Sequence, residues 1–250
     1  MPWDKRGTRV LVVDDHGTYR LLLSSLLGKL GIAHQCCCDG RQALDTMVAQ
    51  PFDVVITDCH MPVMDGYAMT RELRRRERAA GSPACCVLAL TASPGRWTSS
   101  AAWLVAWTAG WSSRSAWANC VEVLRYWLSA PQARGRAVAH CASGLPVSRP
   151  TRASLIATFG SWDIAEPLLV NLIQEAQHDL TTLGQALVCL DGVLTTQRLH
   201  RLMGSIAFLG NTGLESQAVR LIEQVNQSGV SDNVLALQVF FVRWKITYST

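Results

Sequence analysis

An apolar strand that ends in an aspartate is the feature that most constrains the fold of this chain. Residues 52–57, FDVVIT, are mostly β-branched or aromatic, and an unbroken apolar run occupies positions 54–56. Such a run is typical of a central parallel strand that is covered on both faces. Asp58 follows directly, at the end of the strand where open α/β sheets place their ligands. We therefore expect Asp58 to face a binding site.

A second acidic strand end lies earlier in the chain. The apolar residues 10–13, VLVV, are followed by Asp14 and Asp15. Because the carboxyl ends of parallel strands meet at one edge of a sheet, we expect these two carboxylates to converge with Asp58. Carboxylate oxygens are hard ligands of the kind that Mg²⁺ prefers. The sequence thus predicts a magnesium site at that edge.

The N-terminal part of the chain alternates between strand and helix patterns. Apolar strand segments are followed by segments with apolar residues at helical spacing, and glycine or proline marks several of the joints. This alternation predicts an α/β fold with a right-handed, doubly wound parallel sheet. The predicted strands are residues 9–13, 33–37, 52–57 and 85–90, and the predicted helices are residues 16–30, 41–49 and 65–80.

Three motifs stand in order at the ends of three predicted strands: LVVDDH, ITDCHMPVMDG and VLALTA. Together they resemble response-regulator receiver domains, which have a flavodoxin-like fold. The resemblance implies that Asp58 is the phospho-acceptor and that Thr91 supplies a hydroxyl that senses the phosphoryl group. It also implies that Mg²⁺ is held by Asp14, Asp15 and Asp58, with the backbone carbonyl of His60 as a further ligand.

After Thr91 the pattern breaks. Residues 92–150 contain no lysine and a single acidic residue, whereas a receiver should have a fifth strand that ends in Lys-Pro. We expect a receiver domain at residues 8–128 whose sheet is incomplete after the fourth strand. A frameshift that starts after about Thr91 and is restored before about Thr151 would explain the segment and predicts poor order from about residue 93 to 150. The same segment holds six of the nine tryptophans: Trp97, Trp103, Trp107, Trp111, Trp117 and Trp127.

The C-terminal part of the chain has a different character. Residues 129–152 are rich in Ala, Gly, Arg and Pro, which predicts a linker. Beyond it, four amphipathic segments joined by short loops predict an antiparallel four-helix bundle in a domain of residues 153–247. The predicted helices of this bundle are residues 164–190, 195–209, 214–227 and 231–245.

The bundle contains a histidine with a glycine one helical turn later. His200 and Gly204 are four positions apart and share a helix face, so the glycine leaves room for a partner to approach the imidazole. With Ser205, and with Asp179 upstream, this pattern resembles the histidine-containing phosphotransfer (HPt) domain. The resemblance implies that His200 is phosphorylated and that Gly204 and Ser205 belong to a docking face. Many members of that family have lysine where this chain has Met203, which weakens the charge support for a phosphoryl group.

The order of receiver, linker and HPt domain resembles the C-terminal end of unorthodox hybrid sensor histidine kinases of the BvgS and EvgS type. It implies a phosphorelay in which Asp58 accepts a phosphoryl group from a sensor histidine kinase and His200 passes it to a downstream response regulator. No ATP-binding kinase domain is recognisable, so we expect a relay module or a fragment of a larger protein. One alternative stays open: loss of the Lys-Pro strand inactivates the receiver and leaves an HPt shuttle or a docking protein.

Composition excludes several other classes of protein. No apolar run approaches 18 residues and the N-terminus is not a signal peptide, so we expect a cytoplasmic chain or the cytoplasmic end of an inner-membrane sensor kinase. The net charge of +4 is small, and no helix-turn-helix follows the receiver, which argues against a nucleic-acid partner. Nine cysteines without CxxC spacing are expected to be reduced core residues.

Overall fold

The computed structural model describes residues 7–91, 109–112, 150–210 and 213–248. The chain divides into two compact units. The first comprises Met1–Leu145 and Arg152–Ala165, and the second comprises Pro146–Thr151 and Glu166–Thr250. Among the helices in the described ranges, none combines the length and the hydropathy needed to cross a membrane.

A parallel five-stranded sheet forms the centre of the first unit, in the order β2-β1-β3-β4-β5. The chain changes direction across the sheet between β1 and β3, which is the switch point where open α/β sheets bind their ligands. The predicted doubly wound parallel sheet is therefore confirmed. The strands are β1 (Arg9–Val13), β2 (Ala33–Cys37), β3 (Val54–Asp58), β4 (Cys86–Thr91) and β5 (Ala109–Ser112).

Three helices connect the first four strands: α1 (Gly17–Lys29), α2 (Gly40–Ala49) and α3 (Gly66–Ala80). Aspartates determine where the second and third of them begin. Asp39 Oδ1 accepts hydrogen bonds from two backbone N–H groups in the first turn of α2. Asp65 Oδ1 accepts one from the backbone N–H of Ala68, at 2.6 Å, in α3. These caps satisfy donors that would otherwise lack a partner at a helix start.

The core of the first unit lies between the sheet and these helices. Complete burial of an aliphatic side chain of this kind contributes roughly 1.5–3 kcal/mol relative to leaving it in water. Continuous burial occurs in β1 at residues 10–13 and in β3 at residues 54–57, which is what their unbroken apolar runs predict. Fully buried members include Leu11, Val13, Leu22, Leu23, Leu26, Leu27, Leu44, Val55, Ile56, Met69 and Val87.

The fifth strand corrects the expectation of a sheet that stops after the fourth. Ala109–Ser112 pairs in parallel with β4, from Leu88 opposite Ala109 to Thr91 opposite Ser112. Strand pairing uses backbone N–H and C=O groups, so a segment without an apolar run can still extend a sheet. The rest of the tryptophan-rich segment, with the poor order and the frameshift expected there, lies outside the described residues.

Five helices and one 3-10 turn make up the described C-terminal residues, and the first of these helices belongs to the first unit. It begins at Arg152, the last residue of the predicted linker, and its other residues lie at the start of the predicted domain of residues 153–247. The helix expected at 195–209 begins earlier because Asp191 Oδ1 accepts the backbone N–H of Leu194 at 2.9 Å. The segment expected as one helix at 231–245 starts instead with the 3-10 turn. The elements are α4 (Arg152–Phe159), α5 (Trp162–Val188), α6 (Gly192–Leu209), α7 (Leu214–Ser228), the turn Ser231–Asn233 and α8 (Val234–Tyr248).

Candidate functional site

Three carboxylates meet at the edge of the sheet where β1 and β3 end. Asp14 and Asp15 follow β1 directly, and Asp58 is the last residue of β3. The register places Val13 opposite Thr57, so the residues that follow them are neighbours across the sheet. One oxygen from each carboxylate lies within 4.8 Å of the others. The predicted convergence is what the structure shows.

The backbone around Asp14 holds its carboxylate in place. The side chain is only 5% exposed, and its Oδ1 accepts a hydrogen bond from the backbone N–H of His16 at 2.8 Å. The Asp14 N–H donates to the carbonyl of Cys37 in β2 at 3.2 Å. Arg20 in α1 donates to the Asp14 carbonyl at 2.6 Å. Both the side chain and the main chain of Asp14 are therefore anchored.

Asp58 is oriented by its neighbours in the chain. The backbone N–H of Cys59 donates to Asp58 Oδ1 at 2.6 Å, and the hydroxyl of Thr57 donates to the Asp58 carbonyl at 2.8 Å. Gly66 at the start of α3 lies directly against that carbonyl. A Cβ at position 66 would stand 2.1 Å from the Asp58 carbonyl oxygen, closer than any real contact, so only glycine fits here.

A second glycine supports the loop between β3 and α3. The N–H of Gly40 donates to the carbonyl of Met64 at 3.0 Å. A Cβ on Gly40 would lie 2.8 Å from the same oxygen. Val63, in the middle of this loop, has a φ of 66°, a conformation that few residues other than glycine adopt. The loop that follows Asp58 is thus held by close backbone contacts at both of its sides.

Sequence reasoning missed the two glycines as part of the site. The available signal was the pair of Asp-Gly steps at positions 39–40 and 65–66, which it assigned to a turn and to a helix start. In each step the aspartate caps a helix and the glycine permits a backbone contact with the residues around Asp58. Nothing local in the sequence distinguishes a glycine used this way from a glycine used for a turn.

The predicted roles of two other residues, His60 and Thr91, are tested only in part by their positions. His60 is exposed, and its ring centroid lies 5.8 Å from that of Tyr67, while ligation through its carbonyl stays a prediction. Thr91 is the last residue of β4, one position beyond Leu90, which pairs with Asp58. Its backbone therefore reaches the same edge of the sheet, but its side chain lies outside the described residues.

The donor set at this edge fits a hard divalent cation. All three ligating side chains are carboxylates, and in the described part of the chain they are the one group of acidic, histidine or cysteine side chains arranged to hold a metal. Without a cation, three carboxylates at this distance repel one another. With a cation such as Mg²⁺, the same oxygens supply charge and coordination. The arrangement can therefore bind a cation and place it beside Asp58.

The second unit contains the other predicted functional residue, His200, which is half-buried on α6. Gly204 is also half-buried, whereas Met203 and Ser205 are buried. Ser205 is wholly inaccessible, so its side chain belongs to the packing of α6, and a docking face that includes this position stays a prediction. Gly204, one turn from His200, keeps the small profile that was predicted for that face.

A buried ion pair beside His200 was not foreseen. Asp179 on α5 is fully buried, and Arg198 donates to its Oδ1 at 2.8 Å. Arg201 donates from Nε to both of its carboxylate oxygens at 3.1 and 3.0 Å. The two arginines stand two positions before and one position after His200 in α6. The two arginines link this part of α6 to α5 through one fully buried carboxylate.

Part of the first unit is similar to known proteins. The family model for the response regulator receiver domain matches residues 10–101. The Escherichia coli K12 sensor protein EvgS is 46% identical over 67 residues, which are 27% of this chain and 6% of that protein. The Bordetella bronchiseptica virulence sensor protein BvgS is 42% identical over 87 residues, 34% of this chain and 7% of that protein.

A solved structure is also similar. It is the receiver domain of the Arabidopsis thaliana histidine kinase CKI1 complexed with Mg²⁺, at 28% identity, with 50% of this chain and 95% of that chain covered and a TM-score of 0.44. The matches to the sensor proteins span less than a tenth of the length of those proteins.

Proposed function

We propose that this chain, whose residues 10–101 are a response regulator receiver domain of a two-component phosphorelay, takes up a phosphoryl group on Asp58. The observation that carries the proposal is the convergence of Asp14, Asp15 and Asp58 within 4.8 Å at the switch point of the sheet. An Asp58 that served only as a strand cap would not need two further carboxylates so close, because their mutual repulsion destabilises the fold.

In the proposed reaction a carboxylate oxygen of Asp58 attacks the phosphorus atom of a phosphohistidine on a sensor kinase. The new O–P bond forms as the N–P bond breaks, and the electron pair returns to the imidazole of the donor. A Mg²⁺ ion held by Asp14, Asp15 and Asp58 would neutralise charge between the phosphoryl oxygens and the carboxylate. The backbone N–H of Cys59 keeps the Asp58 carboxylate in a fixed orientation throughout, which is the positioning that phosphoryl transfer requires.

The second step of the proposal uses His200. A ring nitrogen of its neutral imidazole attacks the aspartyl phosphate, forming an N–P bond and releasing the carboxylate of Asp58. His200 then passes the group to a downstream response regulator. The support is the half-buried position of His200 on α6, one helical turn from Gly204.

A second candidate function follows from the scarcity of lysine. The chain has only Lys5, Lys29 and Lys245. Lys29 Nζ donates to the carbonyls of Ala157 and Thr158 in α4, both at 2.8 Å, so it caps that helix. Lys245 lies over the ring of Phe241 in the second unit. If no lysine reaches Asp58, the receiver is inactive, and the chain acts as an HPt shuttle or a docking protein.

A transfer experiment separates the two functions. The wild type, Asp58→Asn and His200→Gln are incubated with a radiolabelled phosphohistidine kinase and Mg²⁺. Asp45→Asn and His178→Gln are the matched controls, because both residues are exposed on helices outside the sites. We expect label on the wild type and both controls, none on Asp58→Asn, and a base-stable, acid-labile fraction that only His200→Gln and Asp58→Asn lack. Label on Asp58→Asn equal to that on the wild type would disprove the receiver function.

The frameshift is kept as the explanation for residues 92–150, and sequencing of the coding DNA across that segment tests it. A single unambiguous reading frame that matches the protein would exclude a sequencing error, but not an old frameshift mutation in the gene. Restoring the expected Lys-Pro strand should then raise the rate of label uptake on Asp58. No gain after restoration would show that the chain as it stands already contains a complete receiver.

A further inference from the structure

Cys59, which no part of the proposed reaction yet uses beyond its backbone, occupies a junction in the first unit. Its side chain is 2% exposed. Its Sγ donates to the carbonyl of Leu90 in β4 at 3.0 Å, and its own carbonyl accepts from the N–H of Gly66 at 3.2 Å. With the N–H bound to Asp58 Oδ1, the residue contacts the acceptor, the start of α3 and the neighbouring strand.

The Cys59 thiol contacts Leu90 at the end of the pairing between β3 and β4. Asp58 and Leu90 are the last paired residues of β3 and β4, and beyond them β3 turns away into its loop. The thiol of Cys59 therefore adds one cross-strand link just past the last backbone pair. That link joins the residue after the phospho-acceptor to the residue before Thr91, the predicted phosphoryl-sensing hydroxyl.

We propose that the Cys59 thiol is a positioning residue that ties the Asp58 end of β3 to β4 and thereby sets the geometry of the cation and phosphoryl site. This inference rests on the proposed receiver function. Asp58 precedes Cys59 and His60 follows it, and both neighbours are predicted cation ligands. A residue fixed by three separate contacts limits the movement of both. Loss of the thiol removes the hydrogen bond to Leu90 and leaves the two backbone hydrogen bonds of Cys59 in place.

The chain supplies a matched control in Cys85. Its Sγ also donates to a backbone carbonyl, that of Phe52, at 3.3 Å. Cys85 immediately precedes β4, so it lies at the opposite end of that strand from Leu90. Cys85→Ala removes the same kind of contact from the same sheet without touching the carboxylate edge. Cys59→Ser keeps a donor at position 59 and serves as the rescue variant.

The experiment measures two quantities on the full chain: the Mg²⁺ dissociation constant by calorimetry, and the initial rate of Asp58 labelling by a small acyl phosphate. A thiol–carbonyl hydrogen bond is weak, so Cys59→Ala should raise the Mg²⁺ dissociation constant and lower the labelling rate by about two- to fivefold each. Cys59→Ser and Cys85→Ala should stay within about twofold of the wild type, although Cys85→Ala loses a comparable bond. If Cys59→Ala does not fold, Cys59→Val replaces it, because valine fills the space but cannot donate.

The two measurements distinguish a failure of the proposed receiver function from a failure of the inference about Cys59. Absence of label on wild-type Asp58 refutes the proposed function, while the Mg²⁺ measurement still tests the position of Cys59. A Cys59→Ala variant that changes the Mg²⁺ dissociation constant no more than Cys85→Ala does would overturn the inference. So would a Cys59→Ser variant as impaired as Cys59→Ala, because the effect would then come from the loss of sulfur and not of the hydrogen bond.

Discussion

Neutralising one carboxylate of the acidic edge should stabilise the first unit when no cation is present. The chosen carboxylate oxygens lie within 4.8 Å of one another, and two unit charges at that upper limit repel by about 0.9 kcal/mol at the dielectric constant of water and by about 3.5 kcal/mol at an effective constant of about 20. Asp15 is half-buried, so its repulsion lies between these limits. We expect Asp15→Asn to raise the free energy of unfolding in EDTA by about 1–3 kcal/mol.

Mg²⁺ should stabilise the wild type more than it stabilises Asp15→Asn. A ligand at ten times its dissociation constant stabilises the native state by about 1.4 kcal/mol, and only the wild type retains all three ligands. The melting temperature of the wild type should therefore rise with Mg²⁺, whereas that of Asp15→Asn should change little. In EDTA the variant should melt higher than the wild type by about 3–10 °C.

Thermal unfolding in EDTA and in a Mg²⁺ series tests both statements, followed by a signal specific to the first unit because the two units need not unfold together. Asp45→Asn is the control, since Asp45 is exposed on α2 and lies outside the acidic group. An Asp15→Asn variant less stable than the wild type in EDTA, with a wild type that Mg²⁺ does not stabilise, would show that these carboxylates share no cation.

Three further changes have definite expected outcomes. Gly66→Ala should unfold the first unit or abolish Mg²⁺ binding, because its Cβ would overlap the Asp58 carbonyl, whereas Gly28→Ala, with open space around it in α1, should stabilise by about 0.5–1 kcal/mol in urea unfolding. Asp179→Asn should cost the second unit about 3 kcal/mol in the same assay, since it leaves two arginines without their buried partner; a cost below about 1 kcal/mol would mean that solvent already screens the pair. Burial raises the pKa of the Cys85 thiol from 9.0 to about 12. Its contribution to stability is therefore full below about pH 9 and is lost as pH rises towards about 12, and alkaline unfolding of Cys85→Ala should lack that component.

The acidic edge could be predicted from sequence because its geometry follows from local patterns. Each carboxylate stands at the end of an apolar run, and parallel strands bring such ends to one edge. The alternation of strands with helices then makes β1 and β3 neighbours at the switch point. The prediction of Asp14, Asp15 and Asp58 as one group therefore needed no knowledge of individual side-chain contacts, and the structure confirms it.

The fifth strand shows where the same reasoning fails. The missing Lys-Pro pair predicts a sheet that is incomplete after the fourth strand, and Ala109–Ser112 contains neither residue. The strand nevertheless pairs along β4, because an exposed strand edge offers backbone donors and acceptors to any segment that can lie beside it. Side-chain pattern is a poor guide at an edge, since backbone pairing does not depend on it.

The sequence by itself determined the α/β order, the positions of the acidic strand ends and four of the five helices of the C-terminal part, because these follow from spacing over a few turns or strands. Only the tertiary structure decided which residues support the site. Cys59 contacts Leu90 across 31 positions of the chain, and Asp179 meets Arg201 across 22. Gly66 is required by the carbonyl of Asp58, and its neighbours in sequence do not reveal this. Such contacts depend on the path of the whole backbone, which no local pattern contains.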